Sequence, residues 1–145
     1  VARTGWRVGW VYGSAERVDR MLRVHQYAQA CASAPAQYAA EAALRGDRSV
    51  VDEMTASFRR RRDILLDGLE DAGIECPTPR GAFYAMPRVP EGFVDACLDR
   101  GVVVVPGSAF GAGGRGSARI SYATAEADLR EAIDVMAAAA EAVRE

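Results

Sequence analysis

Lysine is absent from this sequence. All 18 basic residues are arginine, so no side-chain amine can condense with a carbonyl group; a guanidinium stays protonated and acts only as a donor. Cysteine is scarce too. Cys31, Cys76 and Cys97 are widely spaced, odd in number and form no Cys-x-x-Cys pair. The single histidine, His25, cannot complete a typical zinc set with them. They read instead as small thiols in a reducing cytoplasm. No apolar run approaches the roughly 20 residues that cross a bilayer, and no charged-then-apolar leader opens the chain. The formal net charge of −2 gives no electrostatic reason to bind nucleic acid or an anionic membrane.

What is present is ordinary for a globular protein: 145 residues, 50% hydrophobic and 26% charged. That length carries one domain with a real core. Val1 is not an initiator methionine, and the register of the motifs below favours a piece of a longer protein.

Local patterns predict the elements. Residues 6–12, rich in aromatic and β-branched side chains, predict a short strand closed by Gly13. Ser14 is placed to cap a helix carrying Val18, Met21, Leu22 and His25 on one face. Residues 26–34 read as a loop or a frayed helix end. Pro35 opens a second helix that runs through Leu44 and stops at Gly46. Asp47 and Ser49 offer caps for the longest element, about residues 50–72, where Val51, Met54, Phe58, Leu65 and Leu69 recur at helical spacing. Gly73 supplies its C-cap. Roughly 23 residues at 1.5 Å each span about 35 Å, enough to cross between domains.

Beyond Gly73 the texture changes. Residues 74–76 and 82–86 predict strands, residues 93–100 a short helix ended by Gly101, and residues 102–105 a strand buried on both faces. Residues 117–123 alternate, setting Arg119 and Ser121 on the face opposite Ile120 and Tyr122. Thr124 is placed to cap a final helix. Helices around a small mixed sheet make an α/β assembly.

Two motifs point further. Thr4-Gly5-Trp6-Arg7-Val8-Gly9 and Arg119-Ile120-Ser121-Tyr122-Ala123, with Gly81-Ala82-Phe83-Tyr84 and the segment from Val103 to Gly111 between them, resemble the aspartate-aminotransferase-like class I/II (fold type I) pyridoxal-phosphate enzymes, in order and over essentially the whole chain. The resemblance implies the C-terminal part of that fold. Residues 1–46 would be a remnant of the cofactor-binding large domain, 47–73 the long interdomain helix, and 74–145 the small C-terminal α/β domain with its mixed sheet.

It also implies roles. Arg7 would pair with the phosphate of pyridoxal 5'-phosphate, which suits a fork that binds a dianion through two parallel hydrogen bonds. Arg119 would clamp the substrate's α-carboxylate and so set the Cα–H bond across the cofactor ring. Taken without the resemblance, each is an ordinary surface arginine. Residues 83 and 84 read as packing, and residues 26–35 resemble a stretch near the neighbouring subunit's site. No catalytic residue lies within the chain. The family's Schiff-base lysine follows a serine and lies eight residues before the Gly-Trp-Arg arginine, which puts it two residues before Val1. The aspartate facing the pyridine nitrogen, the asparagine and tyrosine near the ring oxygen, and the glycine-rich phosphate turn are missing as well. The intact enzyme would be a cytoplasmic homodimer exchanging an amino group between an amino acid (aspartate favoured) and a 2-oxo acid. This polypeptide alone is expected to be inactive and to fold poorly around the exposed edge of residues 6–12.

Two other readings stay open: a lyase of the same fold, running elimination with the same arginines, and a stand-alone small domain acting in binding. Two patterns carry less than they suggest. Gly111-x-Gly113-x-x-Gly116 spells a dinucleotide fingerprint but precedes a strand rather than a helix, so it reads as a flexible turn. The Arg59-Arg60-Arg61-Arg62 run steps by about 100° per residue around a helix and reads as a solvated surface paired with Asp52, Glu53, Asp63 and Asp67. His25 has no nucleophile at a recognisable spacing and reads as a helix-face histidine.

Overall fold

A computed structural model describes residues 4–144. They divide into two compact units, the first ending at Asp52 and the second beginning at Glu53.

In the first unit, a single 3-10 turn, Thr4–Trp6, leads into extended chain without a ladder. The strand expected over residues 6–12 does not form: no described residue pairs with it. The backbone groups of a strand need a neighbour on at least one side, and here Trp10 and Tyr12 stand 71% and 98% exposed. Helix α1 spans Ala15–Ala28 and begins where Ser14 was placed, in extended geometry, with its carbonyl accepting the Val18 N–H at 3.0 Å. The Ser14 hydroxyl makes no capping bond. Helix α2 spans Ala34–Arg45, with Pro35 in its first turn, where a missing N–H costs nothing. Asp47 closes the unit's last turn by accepting the Ser49 N–H at 3.0 Å and the Ser49 hydroxyl.

Helix α3 spans Ser49–Asp71, and from residue 53 onward it belongs to the second unit. Its far end is a Schellman turn: Gly73 takes φ +66, its N–H donates to Glu70 O at 2.9 Å and the Ile74 N–H to Leu69 O at 2.8 Å. Arg144 then donates to the carbonyls of Ala72 and Gly73 at 3.2 and 2.9 Å, which occupies acceptors that a helix end leaves over.

The sheet has three short strands in the order β1-β3-β2: β1 Tyr84–Ala85, β2 Val105–Pro106 and β3 Ala118–Ser121. Both ladders are antiparallel, pairing Tyr84 with Ser121 and Ala85 with Ile120 on one side, Val105 with Arg119 and Pro106 with Ala118 on the other. Residues 74–76 stay outside the ladders, although Arg88 N–H reaches Glu75 O at 2.7 Å. The valine run is not buried on both faces: Val104 faces the core while Val103 is 78% exposed. Helix α4 covers Phe93–Asp99 and α5 covers Glu126–Ala142; the residue capping α5 is Ala125, one position beyond Thr124.

One core joins these elements. Leu65 and Leu69 of α3, Phe93 and Cys97 of α4, Ala118 and Ile120 of β3, Tyr122, and Leu129, Met136, Ala139 and Ala140 of α5 are all buried. Alternation along β3 sends Ala118 and Ile120 into this core and leaves Arg119 and Ser121 on the other face. The Tyr122 ring continues the buried side, and its hydroxyl donates to Ala82 O at 3.1 Å.

Candidate functional site: an arginine between two rings

Arg119 sits in the middle of the sheet, on its solvent side. Its guanidinium carbon lies 4.4 Å from the centroid of Tyr84 and 4.5 Å from that of Phe110. The register explains the first contact. Tyr84 pairs with Ser121, two residues along from Arg119 on the same face, and diagonal neighbours lie within reach of long side chains. The second follows from the 3-10 turn Gly107–Phe110 directly after β2. That turn is tied to β3 by the Gly107 N–H donating to Ser117 O at 2.8 Å, and Ser117 Oγ donates to Gly114 O at 2.6 Å. The glycine-rich residues 111–116 form a turn leading into β3, as their position before a strand implies.

Both ring contacts fall inside the roughly 6 Å range of cation–π attraction. No carboxylate among the described residues pairs with Arg119. A half-buried cation thus lies against two aromatic rings with no carboxylate of the described residues paired to it. The planar guanidinium fork has the geometry to match a carboxylate's two oxygens. Tyr84 and Phe110 are the residues that sequence reasoning missed: Tyr84 was read as packing, and Phe110 only as part of a segment. The alternation of 117–123 carried a partial signal, but the strand pairing that brings the rings over Arg119 is not written locally.

Arg7 belongs to the first unit. It follows the 3-10 turn with φ +52 and is exposed. Left-handed backbone costs a residue with a β-carbon roughly 1–2 kcal/mol, so the turn is held there against a local preference.

Two thiols are shielded. Burial pushes the Cys97 thiol up to about 11, with Arg100 pulling weakly the other way, and burial also raises Cys76 against a backbone hydrogen bond from Met86. Neither is poised as a nucleophile. The described residues contain no group of His, Cys, Asp and Glu suited to a metal.

A pyridoxal phosphate group is met here only in part. The Arg7 guanidinium suits its phosphate, whereas no side chain of the 145 residues can form an imine with its aldehyde carbon, because there is no lysine.

Comparisons with known proteins give the family. The family model described as aminotransferase class I and II matches residues 1–136. Aromatic-amino-acid aminotransferase 2 of Thermococcus litoralis is 41% identical over 144 residues, covering 93% of this chain and 37% of its own length. The aspartate aminotransferase of Pyrococcus abyssi is 40% identical over 144 residues, with the same 93% and 37%. Among solved structures, the aromatic aminotransferase from Pyrococcus horikoshii superposes with a TM-score of 0.88 at 38% identity, over 99% of this chain and 40% of that one. The aspartate aminotransferase of Thermus thermophilus with maleate gives 0.86 at 34% identity, over 95% and 38%. The chain therefore spans a little over a third of the length of these relatives, and it belongs to the class I and II aminotransferase family.

Proposed function

We propose that these residues form the C-terminal part of a pyridoxal-phosphate-dependent amino-acid aminotransferase, and that Arg119 binds the α-carboxylate of the amino acid and of the 2-oxo acid. The observation that carries this reading is the Arg119 guanidinium between Tyr84 and Phe110 with no carboxylate partner among the described residues, in a chain of this family. The two rings against it restrict the side chain before the substrate arrives, which lowers the ordering cost of forming the ion pair. A carboxylate held by two parallel hydrogen bonds has one orientation, and so has the Cα–H bond beside it.

Arg7 serves in this reading as the phosphate anchor. Bound pyridoxal phosphate supplies the electron sink that stabilises the carbanion left when Cα loses its proton. The proton-carrying amine is a lysine outside these 145 residues, so this polypeptide alone does not transaminate. Aspartate is one donor to test first; relatives of this chain carry aspartate, aromatic-amino-acid and LL-diaminopimelate names, and the maleate bound to the Thermus enzyme is a dicarboxylate. We place the intact enzyme in the cytoplasm as a homodimer. Free thiols at Cys31, Cys76 and Cys97 suit a reducing compartment, and α1 carries exposed Met21, Leu22, Val24 and Tyr27, apolar surface suited to being covered. No described helix is long and apolar enough to cross a membrane.

The reading frame directly upstream of Val1 tests this. Ser-Lys in frame, with the lysine two residues before Val1, is the expected result. Any other residue at that lysine position overturns the assignment of Arg7.

A further inference from the structure

The four-arginine run forms only part of the ion-paired surface that its acidic neighbours suggest. Arg62 pairs with Asp63 at 2.7 Å, and Arg60 reaches across to Glu126 at 3.5 Å. Arg61 lies over the Phe58 ring, 5.8 Å from its centroid, with its Nε buried and unpartnered. Arg59 has neither a carboxylate nor a hydrogen-bond partner among the described residues, and Arg80, on the turn before Gly81, has none either.

Arg59, Arg62 and Arg80 line one cleft of about 240 Å³ between α3 and residues 79–82, walled by Phe58 and the buried Tyr122, with Thr55 at its edge. No acidic residue lines it. With Arg62 shared with Asp63, the cleft retains two uncompensated positive charges. Guanidinium forks bind tetrahedral oxyanions through paired hydrogen bonds, and two charges match a dianion better than a single carboxylate. The volume lies below the roughly 300–1,000 Å³ of pockets for drug-sized ligands, which favours a small ion or the head of a larger one. Tyr122 lies on the side of β3 opposite Arg119, so this cleft and the carboxylate receptor open from different faces of the strand.

We propose that the cleft formed by Arg59, Arg62 and Arg80 binds a phosphate dianion, either free or as a phosphomonoester. The anion bridges α3 to the 79–82 turn and thereby braces the backbone just ahead of Tyr84. Its hydrogen bonds come from Arg59 and Arg80, while Arg62 adds charge from behind.

The test titrates the full-length protein with inorganic phosphate, and separately with phenyl phosphate, against chloride at matched ionic strength. Binding is read by calorimetry and by the arginine Nε–H resonances. Saturable binding at one site is expected, with the Arg59 and Arg80 resonances shifting and affinity falling at least tenfold in the R59Q/R80Q double variant. Tighter binding of phenyl phosphate would identify an organic phosphomonoester as the occupant, and equal binding would identify the free ion. The proposal is overturned if neither anion binds saturably, if the double variant binds as the wild type does, or if binding is lost in R7Q instead. The resonance shifts in wild-type protein decide the matter even if the double variant does not fold.

Discussion

The guanidinium carbon of Arg119 lies 4.4 Å from the ring centroid of Tyr84 and 4.5 Å from that of Phe110. Neither ring is its neighbour in sequence. Tyr84 arrives through the β1–β3 ladder and Phe110 through the turn after β2. In the proposed role of Arg119 the rings orient the cation that takes the carboxylate, so their loss should weaken substrate binding without abolishing it. A cation–π contact at a partly exposed site is worth about 0.5–1 kcal/mol. In the full-length enzyme, Tyr84→Leu and Phe110→Leu are each expected to raise KM for both the amino acid and the 2-oxo acid by about 2- to 5-fold, with kcat less affected. Steady-state kinetics on the two variants checks this.

Alkaline conditions should destabilise the second unit. The Cys97 thiol, at about 11 in the folded state against an ordinary 9.0, keeps its proton in a pH range where the unfolded chain loses it. The folded state then binds more protons than the unfolded one, and stability falls as pH rises from about 9 toward 11. Burial raises the Tyr122 phenol as well, with Arg62 opposing, and this adds a contribution of the same sign above pH 10. Denaturant midpoints between pH 8 and 11 should decline, with a shallower slope in Cys97→Ala. At neutral pH, exposed Cys31 should react with a thiol reagent well before Cys97.

Much of the fold could be read locally. Val51, Met54, Phe58, Leu65 and Leu69 mark α3 because a helix repeats within a few residues, and Gly73 ends it for a backbone reason. The alternation that set Arg119 apart from Ile120 and Tyr122 held for the same cause. Residues 6–12 failed as a strand because a strand is defined by its partner, and none of the described residues pairs with them. The valine run failed similarly: four β-branched residues favour extended backbone, but only the surrounding packing decides that Val104 is buried and Val103 exposed. The rings around Arg119 were hidden by sequence distance, since Tyr84 lies thirty-five positions away. The motifs drew attention to the arginine; its ring neighbours come from the β1–β3 ladder and from the turn after β2.

Helices α3 and α5 meet at Gly68. A β-carbon there would overlap the Ile133 γ-methyl. Glycine inside a helix costs about 1 kcal/mol relative to alanine, so Gly68→Ala gains propensity and loses packing. Overpacking a core typically costs about 1–3 kcal/mol, which outweighs the gain. Gly68→Ala is expected to destabilise by up to about 2 kcal/mol, and Ile133→Ala by about 2 kcal/mol or more. The double variant should be more stable than the sum of the two predicts, as measured by denaturant unfolding.

Arg144 donates to Ala72 O and Gly73 O at 3.2 and 2.9 Å, fastening the end of the chain to the end of α3. Both carbonyls can turn to water when the guanidinium is removed. Arg144→Ala should therefore cost only about 1 kcal/mol, visible as a fall of a few degrees in Tm. Faster amide exchange at Gly73 and Ile74 would place the loss at this helix end.

Arg119 is the proposed carboxylate receptor, and its removal is the direct test. The measurement is amino-group exchange between an amino acid and a 2-oxo acid, with ammonia release followed in parallel, by full-length wild type and Arg119→Gln. Removing a charge-assisted bidentate pair costs about 1.5–3 kcal/mol. The expected result is exchange by the wild type and a fall of kcat/KM by about 10- to 100-fold for both substrates in the variant. An unchanged kcat/KM in Arg119→Gln would contradict the receptor, and ammonia release without exchange would contradict the aminotransferase.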